Sequence, residues 1–189
     1  MTKARLHPSL IEFRGAMRDM VFKQRNGKVY ASVKSLGSTK APTAAQTAHR
    51  ERFRRAVEYG KFVMSNASLR PVYEQAAANQ NLPVFSVCIT DYLKAPKIDS
   101  IDARDYTGQV GDPLQIVASD DFEVARVDVR LSDDEQGTTI ESGQAVQNGS
   151  GHWTYIATQP ATPGITVQFQ VTVLDRPGSS TVQRGTKRI

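Results

Sequence analysis

The sequence is poor in the residues that covalent chemistry needs. It has one cysteine, Cys88, so an internal disulfide is impossible, which fits a reducing compartment. That cysteine lies in an apolar run and reads as a small core residue. No stretch approaches the roughly 18 apolar residues of a membrane-spanning helix, and residues 1–8 lack the apolar centre of a secretory signal. Membrane insertion and cleaved-signal secretion are therefore disfavoured, and the expected location is the cytoplasm or an assembled particle. Three histidines, His7, His49 and His152, are scattered over an arm, a helix and a strand, with no His-x-x-x-His, Cys-x-x-Cys or Gly-x-Ser-x-Gly spacing. Neither a zinc set nor a nucleophile triad can be assembled. The expectation is a chain that is not an enzyme, with no cofactor, no metal and no small-molecule substrate.

What is present is length enough for one large or two small domains, and a divided charge. The 189 residues carry a net charge of +5. Residues 1–97 hold 17 Lys and Arg against 6 Asp and Glu; residues 98–189 hold 7 against 13. A basic half beside an acidic half reads as two modules, here 1–96 and 97–189, and a basic field attracts nucleic acid or anionic protein partners.

Residues Met20 to Lys34 read as one β-hairpin. Two alternating runs flank Asn26-Gly27, the strongest short signal for a two-residue type I′ turn. Folding about that turn sets Arg25 opposite Lys28, Gln24 opposite Val29, Lys23 opposite Tyr30, Phe22 opposite Ala31 and Met20 opposite Val33. Met20, Phe22, Val29, Ala31 and Val33 then share one face, and Lys23, Arg25, Lys28, Tyr30 and Lys34 share the other. Like charges directly opposite one another are unfavourable, so the basic face is either tolerated in water or kept to meet something negative.

Before the hairpin, residues 1–18 read as an arm or short helix, and Ser35 to Pro42 as a loop. Thr43 and Gln46 form a capping-box pattern opening a helix whose apolar positions are Phe53, Ala56, Val57, Gly60, Val63 and Met64. Its other side holds Arg50, Arg54 and Lys61, with Glu51–Arg55 and Arg54–Glu58 spaced for i,i+4 pairing. A second helix is expected from Ser68 as N-cap to about Asn79, with Leu69, Val72, Tyr73, Ala76 and Ala77 inward. The run Val84 to Ile89 fits a strand or a helix. Helix is preferred because Phe85, Cys88, Ile89 and Tyr92 keep a helical stripe until Ala95-Pro96. These elements predict a hairpin with about three helices on its apolar face. The residues Val21 to Lys28, Arg52-Phe53, Leu69 to Glu74 and Asp91 to Leu93 resemble a group of uncharacterised bacterial proteins, a likeness that covers about half the chain and implies domain order alone.

After Pro96 short strands recur: Ile98 to Ala103, Leu114 to Ala118, Glu123 to Leu131, Thr138 to Glu141, His152 to Ala157, Ile165 to Leu174 and Thr181 to Gln183. Strict alternation in Val127-Val129-Leu131 and in Ile165 to Val173 predicts one buried face per strand, hence an antiparallel β-sandwich. Trp153 and Tyr155 share a strand face and read as core. Asp120-Asp121, Asp133-Asp134-Glu135 and Asp175 fall in turns, where aspartates are common for backbone reasons alone; the alternative is that loops at one end of the sandwich bring these carboxylates together around calcium, for which there is no EF-hand spacing. The basic tail Arg184 to Arg188 reads as a frayed terminus. Val117 to Ala125 and Val171 to Gly178 resemble strands of bacterial immunoglobulin-like and fibronectin-type-III-like modules, which implies binding, spacing or decoration. The fold class expected is α+β, a hairpin with helices and then an all-β sandwich. The function expected is a non-catalytic structural or interaction protein of a bacterial or phage-like assembly, with a protein partner or further copies of itself. The alternative is nucleic-acid binding through Lys23, Arg25, Lys28 and Lys34, with Tyr30 stacking.

Overall fold

The computed structural model describes residues 2–3, 15–25, 28–35 and 41–189, which fall into two compact units, Met1–Ala44 and Ala45–Ile189. In the first unit β1 (Thr2–Lys3), β2 (Gly15–Met17), β3 (Met20–Arg25) and β4 (Lys28–Val33) form an antiparallel sheet in the order β1-β4-β3-β2. The β3–β4 register is the one the alternation dictates: Arg25 faces Lys28, Lys23 faces Tyr30, Phe22 faces Ala31 and Met20 faces Val33. The Asn26-Gly27 turn itself lies outside the described residues. The arm expected before the hairpin is corrected: Gly15–Met17 is a strand that folds back on Met20–Phe22 through Arg18-Asp19. Arg18 takes a left-handed φ of 52°, and the Lys34 amide donates to the Asp19 carbonyl at 2.6 Å. A three-residue strand shows no periodicity, and arginine does not announce a left-handed turn, so this hairpin is invisible in the sequence.

The second unit opens with α1 (Ala44–Ser65), α2 (Arg70–Gln80) and α3 (Val84–Leu93). The helices therefore share a compact unit with the C-terminal strands, and residues 94–96 link α3 to the first strand of the sandwich. Val63, Tyr73, Ala77, Val87 and Cys88 make the helical core, with Tyr59 and Leu69 against it. The Arg54 guanidinium turns back to Glu51 at 2.6 Å rather than on to Glu58. Ser68 is not the N-cap of α2. The Asn66 carboxamide oxygen accepts from the Ser68 and Leu69 amides at 2.9 and 3.0 Å, and Leu69 occupies the cap position in helical geometry. α2 ends at Asn81, whose left-handed φ of 51° lets its amide bond back to Ala78.

The remaining strands are β5 (Lys97–Asp102), β6 (Pro113–Ser119), β7 (Val124–Asp133), β8 (Thr139–Gln144), β9 (Val146–Gly149), β10 (His152–Ile156), β11 (Thr166–Asp175) and β12 (Ser180–Arg188). They form two antiparallel sheets, β5-β6-β10-β9 and β12-β11-β7-β8. One core lies between them. It takes Leu114 and Ile116 from β6, Val127, Val129 and Leu131 from β7, Trp153 and Tyr155 from β10, and Val167, Phe169, Val171 and Val173 from β11. Each such side chain contributes roughly 1.5–3 kcal/mol through burial, so the alternation alone drives the sheets together.

Two strand expectations need correction. β9 has no counterpart among the expected strands, because all four of its residues are exposed at a sheet edge. The tail is not frayed: β12 pairs with β11 from Ser180 to Arg188, and the Ile189 amide donates to the Ile165 carbonyl at 3.1 Å. Its inward positions are Thr181, Gln183, Gly185 and Lys187, which hide the strand from any hydrophobic pattern. Gly185 lies across from Phe169, and a Cβ there would fall 2.6 Å from the ring's Cζ. Gly185→Ala is therefore expected to cost about 1–3 kcal/mol of stability by overpacking, read as a lower denaturant midpoint, with Phe169→Leu in the same chain recovering part of the loss.

Candidate functional site

The residues expected to meet a partner lie on the face of the N-terminal sheet opposite Phe22, Val29 and Ala31. Direct cross-strand neighbours share a face, so the pairs Lys23–Tyr30 and Arg25–Lys28 stand together, and Lys34 continues the β4 side of that face. Lys23, Lys28 and Lys34 are exposed and Tyr30 is half-buried. Arg25 is placed by its register alone. Among the described residues no carboxylate makes an ion pair with these lysines. The opposite face ends in a row of exposed apolar side chains, Met17, Met20 and Val33, which neighbour one another across three strands.

A second constellation, which sequence reasoning missed, lies where the helices meet the sandwich. The Tyr73 hydroxyl donates to Asp91 Oδ2, and the Tyr59 and Tyr73 hydroxyls are 2.8 Å apart. The Tyr73 ring stacks on Phe122 from the β6–β7 turn, with centroids 4.3 Å apart and planes 9° from parallel. Asp91 is only 3 % exposed, and its Oδ1 has no hydrogen-bond partner among the described residues. Burial is the largest cause pushing the Asp91 carboxyl up to about 6, with the Asp120 and Asp175 charges adding to it and the Tyr73 hydroxyl and Arg176 opposing. Burial likewise raises Tyr73, Tyr59 and Asp175. It lifts the Cys88 thiol to about 11, which leaves that cysteine unreactive in the core. The only sequence signal for this site is an aspartate one helical turn from Cys88 on an apolar helix.

The turn carboxylates are engaged by backbone. Asp133 Oδ1 accepts from the Glu135 and Gln136 amides, Asp175 Oδ1 from Gly178 and Ser179, and Asp112 Oδ2 from Thr107 and Gln109. Glu141, buried in the sandwich, accepts from the Thr158 amide at 2.9 Å. These bonds occupy one oxygen of each carboxylate and fix the backbone around it. His152 is exposed, with Nδ1 2.9 Å from the Ser150 carbonyl. No three His, Cys, Asp or Glu side chains among the described residues are grouped to hold a metal ion. Among them, too, no helix is long and apolar enough to cross a membrane.

No family model matches the chain, and no curated protein matches it in sequence. Solved structures with some likeness include CopC from Methylosinus trichosporium, at 15% identity over 48% of this chain and 89% of that one, TM-score 0.37. A crystal structure of a Br derivative of BhCBM56 shows 18% identity over 43% and 85%, TM-score 0.31. A conjugative transposon lipoprotein from Bacteroides eggerthii shows 13% identity over 49% and 93%, TM-score 0.27. Likeness at this level does not assign the chain to a family.

Placing Lys28 directly across from Arg25 is unfavourable for the sheet by itself. Lys28→Glu should therefore raise stability by about 0.2–1 kcal/mol in low salt, measured by denaturant unfolding, and the gain should shrink at high salt.

Proposed function

We propose that the chain is a non-catalytic interaction protein, a component of a bacterial or phage-like assembly, in which the N-terminal sheet anchors to an anionic partner and the C-terminal sandwich is presented as a spacer. The observation that carries this reading is the cross-strand register: it gathers Lys23, Arg25 and Lys28 around Tyr30 on one sheet face, at a cost in strand-pairing energy. The sandwich suits the passive role. Lettered A, B, C, C′, D, E, F and G in chain order, its strands run A-B-E-D in one sheet and G-F-C-C′ in the other, an order that supports the immunoglobulin-like reading.

The same face favours a second reading. A strand ribbon bearing lysines and a half-buried tyrosine suits phosphate contact and base stacking, and this would make the partner a nucleic acid. Fluorescence anisotropy with duplex and single-stranded oligonucleotides at about 50 and 200 mM salt separates the two. Nucleic-acid binding requires affinity that falls steeply with salt and drops at least about tenfold when Lys23 and Lys28 are replaced by Ser. A protein partner predicts weak, unselective oligonucleotide binding, together with complexes or oligomers in size-exclusion light scattering that the same double substitution dissociates. A chain that stays monomeric, captures nothing from host extract and binds no polyanion would overturn both.

A further inference from the structure

The helical core and the sandwich core are separate clusters within one compact unit. Phe122 reaches from the sandwich onto the helical core, where it stacks on Tyr73. Lys94 pairs with Asp121, and the Thr181 hydroxyl donates to the Pro96 carbonyl at 2.5 Å. The link from α3 to β5 is three residues long. Against this small seam lies a buried carboxyl, Asp91, held by the Tyr73 hydroxyl on one oxygen and, among the described residues, by nothing on the other. Its position aggravates the cost of charge. Asp91 sits in the last turn of α3, where the helix dipole disfavours an anion; the helix itself has no basic residue there, and the Arg52 guanidinium of α1 donates to the Leu93 carbonyl at 2.7 Å.

We propose that the seating of α2 and α3 on the sandwich is a proton-controlled joint: a neutral Asp91 locks the helices down and an ionised Asp91 loosens them. The groups facing Asp91 come from every packed element. Tyr59 and Tyr73 belong to α1 and α2, Cys88 to α3 itself, Asp120 to the β6–β7 turn, and Asp175 and Arg176 to the end of β11 and the turn after it. Arg176 is the one cation among them; its Nη2 pairs with Glu123, while its buried Nε has no hydrogen-bond partner among the described residues. The two aspartates nearby carry the same sign as an ionised Asp91. An ionised Asp91 in the seated state therefore meets repulsion and desolvation that outweigh one hydroxyl donor and the pull of Arg176, whereas the unseated state gives it water.

The sign comes from the direction of the shift. A carboxyl whose value rises from 3.8 to about 6 on seating contributes stability that is complete below about pH 4 and is lost as pH rises through about 6. Between about pH 5 and 7.5 the opening equilibrium should grow about tenfold. Amide hydrogen exchange on the full chain, corrected for the intrinsic effect of pH, reads this directly. Amides of α2 and α3 should lose about tenfold in protection over that range while those of β7 and β11 hold theirs, and Asp91→Asn should abolish the difference. An equal pH dependence in Asp91→Asn, a uniform loss across the sandwich, or constant protection in α2 and α3 would overturn the proposal. Should Asp91→Asn fail to fold, the ¹³C titration of the Asp91 carboxyl in the unaltered chain decides: a midpoint near 6 supports the joint and one near 4 sinks it.

Discussion

The two-residue alternation of β7 and β11 is the constraint on which the sandwich rests. These central strands pair along most of their length, and every second residue of each points into the inter-sheet core. A slip of one residue would bring Asp128 and Thr172 inside and expel the valines that flank them, so the register is locked by the burial itself. The flanking strands inherit their freedom from that lock. β12 presents Thr181, Gln183, Gly185 and Lys187 inward because Phe169 fills the space over Gly185, and because Lys187 reaches past the core edge to the Ala103 and Arg104 carbonyls at 2.7 and 2.6 Å. An edge strand of this composition adds backbone hydrogen bonds and one basic hook rather than core.

This division between central and edge strands decides what can be read from the sequence. Strands buried on one face declare themselves by alternation, so β6, β7, β10 and β11 are legible, as is the β3–β4 register with its pairs Lys23–Tyr30 and Arg25–Lys28. Helix α3 is legible because its stripe persists to Tyr92. The elements that escape, β1, β2, β9 and most of β12, are short or lie at edges, where backbone pairing holds a segment whatever its side chains. Packing between elements is hidden for a similar reason. Phe53 reads as a core position on α1 yet is 46 % exposed, whereas Asp91, a charged residue, is buried. Periodicity marks which side chains share a face, not what covers that face.

Charge counting misleads in one respect. The acidic excess of residues 98–189 suggests a broad negative surface, but much of it is consumed locally. Asp112, Asp120, Asp133 and Asp175 accept backbone amides at turns, and Asp102, Asp121, Asp128 and Glu123 pair with Arg104, Lys94, Arg126 and Arg176. A carboxylate used in this way shapes the chain more than it shapes a long-range field. The lysines of the N-terminal sheet have no such role among the described residues. The asymmetry is thus one of engagement: these acids are structural, whereas Lys23, Lys28 and Lys34 are exposed and make no ion pair among the described residues.

The join between helices and sandwich obeys the opposite logic to either core. A seam closed by apolar side chains alone would hold more firmly, since replacing a buried polar network by well-packed hydrophobes is often stabilising. Tyr59, Tyr73 and Asp91 accept that loss and gain direction: a bond from hydroxyl to carboxyl is satisfied at one orientation, and the stacked Tyr73–Phe122 pair fixes the plane in which it forms. The same chemistry makes the seam responsive. Apolar contacts are indifferent to protons, whereas a carboxyl with one unmet oxygen among like charges is held by a margin that its own ionisation consumes. Specific seating and proton sensitivity at this junction are two consequences of one buried group.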